Sequence, residues 1–184
     1  MTHLSSTVIQ DIEALCEAGD ASMAYFYFDF RDANKQCLHG LLTSLLAQLS
    51  ARSDSHYKIL SDFYVAHGEG LKQPSDSTLA KCLKEMLTTP DPRPIYVIID
   101  GLDESPNGCG SPSPREGVLD FLKELVGLSI SNLRMCVASR PEIDIQMVSN
   151  PFWLIKYPLM TKVDKSKILR TISGLWSTRI QNKS

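Results

Sequence analysis

Apolar residues along this chain follow two different periods. Three short runs are apolar almost without interruption and rich in aromatic or β-branched residues: MAYFYFDF at 23–30, IYVIID at 95–100 and LRMCVA at 133–138. Runs of this length and composition predict strands buried on both faces. Elsewhere the apolar positions return every three or four residues, which predicts helices. Leu4, Val8, Ile12 and Leu15 mark a first helix over 4–18, ended by Gly19. Leu38, Leu41, Leu42, Leu45, Leu46 and Leu49 mark a second from Cys37 to Ser50. Further helices are predicted near 55–67, over 77–89 after the Ser75-Asp76-Ser77 cluster, and over about 115–128 with Val118, Phe121, Leu122 and Leu125 on one face. Pro90 and the DPRP segment break the chain before the second strand, and a Gly/Ser/Pro-rich loop runs from Ser105 to Pro114.

Strands that alternate with helices predict an α/β fold with a parallel sheet covered on both sides. In such sheets ligands sit beyond the carboxyl ends of the strands. Asp100, Asp103 and Glu104 follow the second strand, and Ser139-Arg140 follows the third, so two separated motifs are expected to converge on one edge. Three acids at a strand exit make physical sense beside a divalent cation, because unpaired buried anions are costly. An apolar strand, an Asp, then an acidic pair three residues later is the pattern of an extended Walker B motif. There the first acid holds Mg²⁺ and the later one orients or activates the attacking water. Arg140 is then placed to detect a γ-phosphate. Taken singly, each motif also reads as a strand followed by a polar turn.

Composition narrows the classes. Of 184 residues, 43% are apolar, enough for one good core. Residues 1–150 hold 12 Lys+Arg against 20 Asp+Glu, and residues 151–184 hold 7 against 1, so a net −8 is followed by +6. An acidic body argues against a general nucleic-acid surface. The five cysteines (Cys16, Cys37, Cys82, Cys109 and Cys136) contain no CxxC pair, which predicts neither a disulfide framework nor a zinc ribbon and fits a reducing compartment. No apolar run reaches the roughly 20 residues of a membrane span, and MTHLSST lacks the features of a signal peptide. The expectation is a cytoplasmic protein without a transmembrane segment. His3, His39, His56 and His67 show no paired-ligand spacing.

IYVIIDGLDE, followed after a helix by LRMCVASRPE and preceded by MAYFYFDFRD, resembles the NACHT-type NTPase module of STAND signal-transduction ATPases, in particular the nephrocystin-like version abundant in large fungal proteins. The resemblance covers roughly residues 4–148. It implies a three-layer parallel-sheet P-loop fold of the ASCE/STAND type, binding of ATP or GTP with Mg²⁺, and a switch role in which nucleotide state governs oligomerisation with itself or with other NACHT proteins. By motif, it implies Asp100 as the Mg²⁺-side acid, Asp103 and Glu104 as the distal catalytic acids, and Arg140 as the sensor with Ser139 beside it.

The family's phosphate-binding loop, GxxxxGK[ST], has no counterpart here, and no Gly-Lys dipeptide occurs anywhere. By alignment of the resemblance, Met1 falls about where the lysine stands and Thr2 about where the Mg²⁺-binding hydroxyl stands. The reading is a partial domain over 1–150, missing the first strand and its loop, with a divergent basic segment over 151–184. Three expectations follow. Hydrolysis is poor or absent, one edge of the Leu133–Ala138 strand lies open, and FWLIKY supplies a last strand before a basic amphipathic helix over Lys165–Ile180. Two competing readings stand beside the nucleotide switch: a non-catalytic module that pairs with intact relatives, and a metal-dependent phosphoesterase that uses the three acids directly.

Overall fold

The computed structural model describes residues 3–108, 112–140, 142–148 and 153–156. In chain order these form α1 (His3–Glu17), β1 (Ser22–Tyr27), α2 (Leu38–Ser50), α3 (Asp54–Ala66), α4 (Asp76–Thr88), β2 (Ile95–Asp100), α5 (Pro114–Gly127), β3 (Leu133–Ser139), α6 (Ile143–Val148) and β4 (Trp153–Lys156). Short 3-10 turns lie at Ala33–Lys35 and Leu102–Glu104. Side-chain caps set several helix starts: Ser75 Oγ accepts the Thr78 N–H, and Ser113 with Glu116 forms a reciprocal capping box ahead of Pro114.

The strands form one parallel sheet in the order β1-β2-β3-β4. A sheet that grows in one direction through right-handed crossovers places its connecting helices on one face. The packing agrees. Ala24, Phe26, Phe28, Ile95, Val97, Ile99, Met135 and Val137 join Leu41, Leu45, Leu83, Leu122 and Ile145 in a single large core. The opposite strand positions, Met23 and Ile98, are buried with Ile9 under α1. The expected three layers are therefore present, though the two cores are very unequal. Burying each fully enclosed leucine of α2 contributes roughly 2 kcal/mol, so this helix is a principal stabiliser of the sheet.

Two expectations change. The apolar stripe of α1 runs through Ile9, Ile12 and Cys16, while Leu15 is 42% exposed, so the face turned to the sheet is rotated from the one the leucine spacing indicated. The edge of β3 is also not open: Trp153–Lys156 pairs along it, with Cys136 opposite Trp153 and Ser139 opposite Lys156. The FWLIKY strand thus takes the position predicted to be vacant. The basic helix over 165–180 falls outside the described residues.

The outer edge of β1 is covered by a side chain. Tyr25 N–H donates to Gln48 Oε1 at 3.0 Å, and Gln48 Nε2 donates to the Tyr25 carbonyl at 2.7 Å. The amide of α2 thereby stands in for a neighbouring strand where exposed N–H and C=O groups would template association. Gly40, on the same helix, admits the backbone of the Ala33–Lys35 turn: a Cβ there would lie 1.7 Å from the Asn34 carbonyl oxygen. Gln48→Leu, which keeps the volume and removes both hydrogen bonds, is expected to cost about 1–2 kcal/mol in urea unfolding. It should also increase light scattering at high protein concentration, because the β1 edge is then bare.

Candidate functional site

The carboxyl edge of the sheet is organised by a sharp exit from β2. Asp100 is 6% exposed, and the chain reverses immediately at Gly101, whose φ of +71° favours a residue without a Cβ, since a Cβ there would lie 3.2 Å from the Phe28 carbonyl oxygen. Leu102 then enters the main core and anchors the 3-10 turn, whose Glu104 N–H donates to the Gly101 carbonyl at 2.7 Å. Of the two acids on the turn, one faces β3 and the other faces β1.

Asp103 faces β3. Its Oδ1 accepts the Arg140 backbone N–H at 2.9 Å and the Ser139 hydroxyl at 3.2 Å, and Arg140 Nε lies 3.5 Å from Oδ2. The Asp103 side chain is 8% exposed and that of Arg140 is 79% exposed. The carboxylate thus holds the main chain of the Ser139-Arg140 corner while the guanidinium extends into solvent. Glu104 faces β1, where its Oε2 accepts the Phe30 N–H at 3.3 Å. The exit of β1 is stitched on further by Ser105 Oγ, which donates to the Gln36 carbonyl at 2.8 Å, and by Gln36 Nε2, which donates to the Phe30 carbonyl. Asp100, Asp103, Glu104, Ser139 and Arg140 therefore share one rim, as the sequence led us to expect. Thr2 falls outside the described residues.

The rim is electrostatically mixed. The Arg31 guanidinium and backbone N–H bind Asp29 and hold its carboxyl well below the usual carboxylate range. Cys136, on β3 beside Asp100, is shifted the other way: burial and then the Asp100 charge push its thiol up to about 12. Cys82, in the main core, is pushed up to about 11 by burial with a smaller contribution from Glu85. Neither is an activated thiolate at neutral pH.

Sequence reasoning passed over Arg115. It occupies the first turn of α5 and is 4% exposed. Its Nε donates to the Ser105 carbonyl at 2.9 Å, its Nη2 to the Asp103 carbonyl at 2.6 Å, and its Nη1 to Glu142 and Asp144 at 2.5 and 3.3 Å. All three guanidinium nitrogens are engaged, and the backbone of the acidic turn is fixed from below. The available signal was weak: an arginine two residues after a capping serine, with two acids some thirty positions later.

The described residues include no group of three His, Cys, Asp or Glu that could hold a metal ion among themselves. A Mg²⁺ ion needs less than that, since it is commonly held by one or two carboxylates and completes its octahedron with water and phosphate oxygens. Asp100 and Glu104 fit such a partial donor set. Asp103 is committed to the β3 corner.

Two measurements test this geometry. Asp103→Ala leaves the Arg140 N–H without its acceptor, while the Ser139 hydroxyl keeps the Arg140 carbonyl at 2.9 Å, and is expected to lower the unfolding free energy by about 2 kcal/mol. Asp100→Asn is expected to lower the Cys136 pKa while burial keeps it above the ordinary thiol value. Thiolate absorbance followed against pH, with Cys16, Cys37, Cys82 and Cys109 replaced by alanine, reads that shift.

A family model described as nephrocystin 3, N-terminal, matches residues 1–140, a span that ends on the arginine of the rim. No curated protein matches the chain. With 140 of its 184 residues covered, the chain belongs to the nephrocystin 3 N-terminal family.

Proposed function

We propose that the rim is a nucleotide site and that the chain is the regulatory switch domain of a NACHT-type P-loop NTPase, binding ATP or GTP with Mg²⁺. The observation that carries this reading is the contact between Asp103 and the Ser139-Arg140 corner, which joins two motifs 36 residues apart into one site. A single polar turn after β2 has no need of a basic group at the end of β3. A site for an anion bound through a cation needs both signs within a few ångströms.

Within this reading each residue has a distinct task. Asp100 and Glu104 would hold the Mg²⁺ ion, which supplies neutralisation of charge on the phosphate oxygens. The Arg140 guanidinium, exposed and tethered by its own backbone, reaches outward to the terminal phosphate. Asp103 positions Arg140 and does not act as a base. The Glu104 carboxylate would also orient a water molecule held beside that ion. No Gly-Lys dipeptide occurs among these 184 residues, so a polypeptide of this sequence is expected to bind nucleotide with little or no turnover.

Thermal unfolding tests the proposal. ATP or GTP with Mg²⁺, at about a hundred times its dissociation constant, is expected to add about 2.7 kcal/mol and raise the melting temperature by roughly 5–10 °C. Arg140→Ala should remove most of the rise. No shift with either nucleotide at millimolar concentration sinks the proposal. Robust hydrolysis that Glu104→Gln abolishes would overturn the expectation of weak turnover.

A further inference from the structure

Arg115 makes no contact with the side chains of Asp103 or Glu104, yet at 4% exposure it is more withdrawn from water than the 6% exposed Asp100 at the end of β2. On one side its guanidinium holds two backbone carbonyls, those of Asp103 and Ser105, which bracket Glu104. On the other it holds the carboxylates of Glu142 and Asp144, just before and within the first turn of α6. Asn107 Nδ2 also donates to Asp144 at 3.0 Å, which ties the start of the following loop to the same cluster. The side chains of Glu142 and Asp144 are 43% and 30% exposed, against 5% for Arg115. Solvent therefore reaches the acidic half of the cluster and not the basic half.

From this asymmetry we infer that Arg115 is a positioning residue that makes the set of the acidic turn depend on the docking of α6. While Ile145 seats α6 in the main core, Glu142 and Asp144 neutralise the buried guanidinium and its fork stays aimed at the two carbonyls. When α6 is displaced, the guanidinium loses its acidic partners and must turn towards water, because a buried charge without a counter-ion is strongly unfavourable. The carbonyls of Asp103 and Ser105 are then released together. Movement of the chain beyond Arg140 is thereby converted into a change at Asp103 and Glu104, the acids that set the Arg140 corner and the β1 exit. An arginine suits this task because its planar fork satisfies two carbonyls and two carboxylates at once, which the point charge of a lysine does not.

The coupling depends on the nucleotide reading only for what it regulates, and its test uses no nucleotide. Backbone hydrogen exchange is measured on the full chain, comparing the 102–105 turn with strand β1. Glu142→Gln/Asp144→Asn, which keeps side-chain shape and removes the charges, and Arg115→Lys, which removes the fork, are both expected to speed exchange at the turn about tenfold while β1 is unchanged. Asp120→Asn, on the same helix and paired with Lys123 at the surface, is the control and should alter neither region. Unchanged exchange at the turn in the Glu142/Asp144 variant overturns the inference. So does an equal rise in β1, which marks Arg115 as a strut for global stability with no special hold on the turn.

Discussion

The carboxyl rim depends on one constraint: a guanidinium taken out of water must find a partner for each of its nitrogens. Arg115 meets it by collecting partners from three places, the turn after β2, the segment before α6 and the first turn of α6 itself. Because a half-satisfied buried charge is worse than none, these segments are held together or not at all. The hydrogen bonds above it, from Ser139 and Arg140 to Asp103, are individually ordinary. They gain their definition from a turn whose backbone already has nowhere else to go.

The rest of the fold follows from the order of the strands. A parallel sheet that advances β1-β2-β3-β4 collects α2, α4, α5 and Ile145 of α6 into one deep core and leaves the other face to α1. The site lies at the end of that sheet, between a rigid layer and a thin one. The flanks of β3 and β1 are covered differently. Backbone pairing with β4 covers β3, and the Gln48 amide covers β1.

Much of this was legible in the sequence because it rests on local signals. Uninterrupted apolar runs located β1, β2 and β3. Ser75 marked a helix start through capping geometry that spans only three residues, whereas the equivalent cap at Ser113 was read as part of the preceding loop. The convergence of Asp100, Asp103, Glu104, Ser139 and Arg140 was legible as well, since strand exits in a parallel sheet share an edge whatever their separation in sequence. The misreadings have tertiary causes. The rotation of α1 is set by which residues fit above Met23 and Ile98, and neither is adjacent to the helix in sequence. The burial of Arg115 depends on acids 27 and 29 positions away, and an arginine near a helix start otherwise reads as a surface residue. The division of labour between Asp103 and Glu104 was equally hidden, because adjacent residues on a 3-10 turn diverge by about 120° and so serve different strands.

The close seating of Gly40 against the Asn34 carbonyl carries one more consequence. With no room for even a methyl group between them, the middle of α2 and the bend leaving β1 share a single registration, like two gear teeth without backlash. The loop that carries Phe30 towards Glu104 is therefore slaved to the leucine-rich helix behind it. A slide of α2 along the core by a fraction of an ångström must surface at the rim as a displacement of that loop.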